Sequence, residues 1–168
     1  MTHPLIDQLF FARKEFQRGL EGITGEEACR RFLPMNCISW NVGHLAWQEQ
    51  RYWLTHMQGL TPIPKLNELV GYGCPACTPP LEEMQAAWSA ITQAVDPFLR
   101  ALNAETILQP YIYNGEVTEH SVGSRIQRVL YHYWYHTGEN AAIRQMLGHT
   151  DLPQFVGDVE DEAPYRSA

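Results

Sequence analysis

The most constraining feature of this chain is the stretch from Ser121 to Leu147, a long uninterrupted helical segment with Gly148 as its stop. A helix of that length buries its apolar stripe by packing against other elements, and other helices are the simplest cover. The same segment carries His132 and His136. Side chains four apart lie one above the other on a single helix face. A third histidine, His44, stands in a separate tryptophan-rich stretch near the front. Two imidazoles from one helix and one from a facing helix suit a divalent metal whose fourth position stays open for water or substrate. The plain alternative is a pair of partly buried, hydrogen-bonded histidines without metal.

Three further helices read from the pattern. From Pro4 to Leu20, Leu5, Leu9, Ala12, Phe16 and Leu20 recur at three- and four-residue intervals, with Asp7, Arg13, Lys14 and Gln17 between them as a polar face. Ser39 is placed to cap a second helix running to about Gln58, stopped by Gly59, and a third begins near Pro80 or Leu81 with Pro97 inside it as a point for a kink. Thr24 followed by Glu27 suggests a short helix with its own capping box. Asn114-Gly115, between alternating residues, signals a tight hairpin. The pattern predicts an all-α four-helix bundle in one domain over residues 1–168, with a minor hairpin before the last helix and an irregular tail from 151. The connections of roughly twenty residues flanking the third helix exceed the usual 2–8 and are expected to cross the bundle or cover an end, where a pocket would form.

Composition narrows the function. The chain has 168 residues, 45% hydrophobic and 18% charged, with a net charge of -7 and no basic run, which argues against a nucleic-acid groove. The start lacks a secretory signal and no stretch approaches the ~20 apolar residues of a membrane span, so a cytoplasmic protein with no membrane partner is expected. Cys29, Cys37, Cys74 and Cys77 read as reduced thiols. Cys74 and Cys77 form a CxxC, but in a proline-rich connection. A zinc shared with Cys29 and Cys37 or a redox pair is weighed there against two unrelated thiols. His120 and His149 are expected at caps or facing solvent, and His3 and His56 show no obvious partner.

Around the candidate ligands, Glu139 stands three residues beyond His136 on the same face and can be a fourth ligand, a general base or a partner that orients an imidazole. Trp40, Trp47, Gln48 and Arg51 share the face of His44. The tryptophans would wall a site or be ordinary core, and Arg51 would hold an anionic ligand group. Gly43 costs about 1 kcal/mol against Ala inside a helix. It leaves room for a neighbouring helix or ligand.

The segments SWNVGHLAWQEQRYW, HYWYHTGENAAIRQMLGH and DLPQFV together resemble the DinB-like (YfiT-type) four-helix bundle proteins. The resemblance implies that His44, His132 and His136 bind a divalent metal, with zinc or nickel the expected ions. Family members often carry His-Arg-Gly-Gln at the second histidine of the pair, whereas this chain has His136-Thr137-Gly138-Glu139, which adds negative charge near the metal. Activities in the family include metal-dependent transfers using low-molecular-weight thiols such as mycothiol or bacillithiol, and the second-helix motif is similar to the DinB-type domain of ergothioneine-synthesising enzymes. The expectation is therefore a metal-dependent small-thiol S-transferase or hydrolase acting on a small-molecule substrate. In that enzyme Glu139 accepts or relays a proton, Arg51 steadies an anionic substrate, and a low-molecular-weight thiol is a co-substrate. The competing readings are a non-catalytic metal- or ligand-binding stress-response protein and an oligomerising scaffold. Aromatic residues in excess of one buried face predict a homodimer.

Overall fold

The computed structural model describes residues 2–154 and 156–166; Phe155 of the DLPQFV segment and the last two residues of the tail lie outside the described residues. Helix α1 spans Pro4–Arg18, with proline in its opening turn. His3 is its cap, accepting a hydrogen bond from Leu5 N at 3.2 Å, so this histidine does have a partner. Helix α2, Gly25–Cys29, has the expected capping box between Thr24 and Glu27.

Helix α3, Ile38–Glu49, continues without a break as a π-helical segment, Gln50–His56. The cap expected at Ser39 is not there. Cys37 is the cap residue, without a side-chain bond, and the Ser39 hydroxyl inside the helix donates to Pro79 O at 2.6 Å. Every residue of α3 is buried. Helices cover part of it, and the 59–80 connection, which holds the short α4 (Leu66–Leu69), covers another part. This connection runs back along α3, pinned side chain by side chain. His44 Nδ1 is 2.7 Å from Val70 O, Trp47 Nε1 donates to Asn67 Oδ1 at 3.0 Å, and the Gln50 amide bonds both Ile63 O (3.1 Å) and Ile63 N (2.7 Å). As α3 advances, its partners recede along the chain. The connection thus satisfies the buried polar groups of His44, Trp47 and Gln50, which would otherwise cost about 1–3 kcal/mol each.

Helix α5, Leu81–Ala101, runs through Pro97 to its end. Strands β1 (Pro110–Tyr113) and β2 (Glu116–Ser121) pair antiparallel, and the turn residues Asn114 (φ 50°) and Gly115 (φ 81°) take the left-handed conformations a tight hairpin requires. Helix α6, Val122–Met146, is capped by Ser121, whose Oγ accepts from Ser124 N at 3.1 Å, and Gly148 follows at φ 92°. A short α7, Val159–Glu162, lies in the tail.

The long helices α1, α3, α5 and α6 form the bundle: α3 packs on α5, α1 on α6, and α3 also meets α6. At Gly43 an added Cβ would collide with the Met84 sulfur, so the glycine permits the close α3–α5 approach.

Arg13 departs from the polar face expected for it. It is 5% exposed, and its guanidinium grips Glu49 through two bonds of 2.6 and 2.5 Å and reaches Asp96 at 2.6 Å. Tyr133 donates to Glu49 Oε1 at 2.8 Å, and Trp88 Nε1 donates to the Tyr133 hydroxyl at 2.8 Å. One polar network therefore ties all four long helices together. Removing one member of a buried ion pair costs about 3–5 kcal/mol, because the other charge is left without compensation. Arg13→Met is predicted to lose stability of that order in urea denaturation, and Arg13→Met combined with Glu49→Leu to recover more than half of it.

Candidate metal centre

One ring nitrogen from each of His44, His132 and His136 lies within 4.8 Å of the others. His44 comes from the middle of α3, and the pair from the middle of α6, where the i, i+4 spacing stacks them. Each ring is held from behind. His44 Nδ1 faces Val70 O at 2.7 Å, His132 Nδ1 faces Gln48 Oε1 at 2.8 Å, and His136 Nδ1 faces a Glu139 carboxylate oxygen at 2.7 Å. A backbone carbonyl and a carboxylate only accept, so Nδ1 of His44 and of His136 carries the proton; with Gln48 Oε1 toward it, Nδ1 of His132 does too. In the neutral rings this leaves each Nε2 as a bare lone pair.

Burial reinforces that state. It pushes His44 down to about 4, the nearby His136 adding to the effect, and pushes His132 down to about 3, with His136, His44 and Arg128 adding to it. The Nε2 atoms of His132 and His136 are only 2.9 Å apart. At that distance the two Nε2 atoms can share one cation between them, a proton or a metal ion. A tetrahedral metal about 2.1 Å from each nitrogen needs them ~3.4 Å apart, a spacing between the 2.9 Å contact and the 4.8 Å limit of the cluster. The donor set fits a divalent transition metal.

Among the described residues no Cys, Asp or Glu side chain joins the three histidines as a fourth ligand. Glu139 stands behind His136, where it also accepts from Asn41 Nδ2 at 2.9 Å; Asn41 in turn bonds Asn140 Oδ1 at 2.8 Å. Trp40 and Trp47 stack on the two sides of His44, with ring centroids 4.4 and 5.0 Å away. The cluster opens, through His44 and His132, on a cavity of about 670 Å³ walled by Trp47, Arg51, Tyr52, Tyr72, Arg128 and Tyr131. The two-residue reach from Val70 to Tyr72 means that the loop fixing His44 also forms a wall of the cavity.

A protein-family model, the DinB superfamily, matches residues 8–139, more than three quarters of the chain, and the match contains all three histidines and Glu139. The chain belongs to the DinB superfamily. No curated protein matches it. Within this DinB bundle the structure brings His44, His132, His136, Glu139 and Arg51 to one locality, the first four in contact and Arg51 on the cavity wall. Sequence reasoning placed Gln48 on the face of His44 without giving it the His132 ring, and missed Val70 and Asn41 altogether. Gln48 had a usable signal, its i+4 spacing from His44; a backbone carbonyl in a distant loop has none.

Among the described residues the cysteines form no such group. Cys74 and Cys77 donate to the carbonyls of Asn67 and Leu69 at 3.2 Å each, and Cys29 and Cys37 approach the Ser39 hydroxyl at 3.7 and 3.3 Å. Burial pushes the Cys77 thiol up, against a thiolate nucleophile. His56, expected without a partner, has Nδ1 2.7 Å from the Tyr111 hydroxyl.

His56 reports the charge around the cavity. Burial, then Arg51 and Arg125, holds it down at about 4, against an ordinary 6.5. A depressed histidine in the fold stabilises it above the unfolded value, and that stability is lost as pH falls from 6.5 toward 4. Arg125→Met is predicted to move the His56 titration part of the way back toward 6.5, read by imidazole NMR, with burial retaining the remainder of the shift.

Proposed function

We propose that this DinB-superfamily chain is a divalent-metal-dependent enzyme, a small-thiol S-transferase or a hydrolase, using His44, His132 and His136 as its metal ligands. The observation that carries this reading is the pairing of three pre-oriented imidazoles with an open cavity and, among the described residues, no fourth protein ligand. A closed structural site would have that ligand. A metal on three imidazoles supplies Lewis acidity that lowers the pKa of a thiol or water at its open position, and imidazole ligation suits zinc and nickel.

The protein's own groups do the remainder. Val70 O, Gln48 and Glu139 fix each ring so that no reorientation is needed before ligation. Glu139 meets the site through His136, accepting the Nδ1–H of that ring, and so would orient it and raise its basicity as a ligand. Trp40 and Trp47 exclude water from the sides of His44, and Arg51 on the cavity wall steadies an anionic group of the substrate. Losing an outer partner of a ligating histidine typically weakens metal binding 10–100-fold.

Elemental analysis of untagged protein tests the reading. About one equivalent of a transition metal is expected, and its loss in a His132→Ala, His136→Ala double variant. Metal-loaded protein is then expected to transfer a small thiol to an electrophile or to hydrolyse a substrate, at a rate that collapses on chelation. Protein that neither holds metal nor takes up added zinc or nickel would overturn the proposal. Gln48→Leu is predicted to weaken zinc roughly 10–100-fold in competition with a chelator while leaving the helical circular dichroism intact.

A further inference from the structure

Net negative charge in this chain conceals one strongly basic locality. Arg13, Lys14, Arg18, Arg100 and Arg166 all pair with carboxylates. Among the described residues the other seven basic side chains pair with no carboxylate, although acidic residues outnumber basic ones 19 to 12, and three of those seven, Arg51, Arg125 and Arg128, gather near the histidine cluster. Arg51 and Arg128 both line the cavity over the histidine cluster, from the π-helical segment after α3 and from α6 respectively; Arg125 stands one turn before Arg128. No Asp or Glu lines that cavity.

Arg51 and Arg125 are held by aromatic rings rather than by ion pairs. The Arg51 guanidinium carbon is 5.3 Å from the Trp47 ring centre and 5.9 Å from that of Tyr113, and Nη2 donates to the Tyr113 hydroxyl at 3.4 Å. Arg125 sits 4.9 Å over Tyr111 and 5.6 Å over Tyr52, and its buried Nε has no hydrogen-bond partner. Ring stacking fixes a guanidinium while leaving most of its in-plane N–H donors free. Like charges gathered in a half-enclosed site repel one another, and an anion entering the site relieves that repulsion.

We propose that the cavity takes a small organic oxyanion: the molecule that reaches the histidine cluster carries an acid group, seated on Arg51 and Arg128, as well as its reactive atom. Arg125 strengthens the positive field from behind. This inference rests on the proposed metal-dependent function for what happens at the reactive atom, but the anion site itself is built from residues that are not metal ligands. The acid group can be planar, a carboxylate, or tetrahedral, as in a sulfonate or phosphate; a guanidinium fork suits both.

Three small thiols separate the possibilities: 2-mercaptoethanol, which is neutral, 3-mercaptopropionate and 2-mercaptoethanesulfonate. Binding is read by calorimetry on cobalt-loaded and on metal-free protein. At least one of the anionic thiols is expected to bind roughly tenfold or more tightly than the neutral one, with the gap shrinking as salt is raised. The better of the two identifies the geometry of the acid group. In Arg51→Met, Arg128→Met protein the gap closes to within about twofold, and Arg51→Lys, Arg128→Lys retains part of it because the charge remains. Circular dichroism establishes that each variant is folded, and an unfolded methionine pair is replaced by the single variants. Equal affinity for all three thiols, or an anion preference that survives loss of both arginines, overturns the proposal. Failure of the metal reading shows differently, as no cobalt uptake, while the anion preference persists in metal-free protein.

Discussion

The contact on which the rest of this structure depends is the buried bond between Arg13 and Glu49, extended by Tyr133 and Trp88 to all four long helices. Desolvating two charges is costly, and only bidentate geometry with further hydrogen bonds offsets it. Both conditions are met here, because the second Glu49 interaction comes from a tyrosine. Burial and the neighbouring carboxylate raise the pKa of that hydroxyl, so it stays a donor. Apolar packing alone tolerates a helix rotated or slipped by a fraction of a turn; this network does not. Glu49 follows Gln48, and Tyr133 follows His132, so the bond that fixes α3 against α6 also fixes which side chains face each other one residue away.

The histidine cluster inherits that register. His44 is set by the loop that runs back along α3, His132 by α3 itself through Gln48, and His136 by its own helix through Glu139. Three independent supports therefore converge on one point, each supplied by a different part of the fold. The π-helical continuation of α3 has a matching role at the cavity: it carries Arg51 and Tyr52, and a wider helical turn at a functional surface is a recurrent use of this geometry. The hairpin closes that end by bringing Tyr111 and Tyr113 against the same segment.

Features governed by local chemistry were legible in the sequence. Pro4, the Thr24–Glu27 capping box, Asn114-Gly115, Ser121 and Gly148 act within a few residues of themselves, and all appear where the pattern put them. The His132–His136 pair was legible for the same reason, since i, i+4 spacing on a helix is geometry rather than packing, whereas the place of His44 beside them depends on how α3 packs on α6. What was not legible depends on partners distant in the chain. Arg13 looked like part of a solvated face because its only distinction is Glu49, thirty-six positions later. Ser39 looked like a cap because a serine before an apolar run usually is one, and its actual acceptor, Pro79 O, lies beyond a long connection. His56 gains Tyr111 only because the fold brings β1 beside it, whereas the partner of His3, Leu5 N, is local, two residues along the chain.

The central claim is that three histidine Nε2 atoms, held ready by Val70, Gln48 and Glu139, share one metal ion with a position left over. X-ray absorption at the metal edge of zinc-loaded protein tests it most directly. The account predicts three imidazole nitrogens at about 2.0–2.1 Å with one lighter oxygen neighbour, and a sulfur at about 2.3 Å replacing that oxygen when a small thiol is added. A first shell built from several protein sulfurs, or one with fewer than three imidazoles, would contradict it.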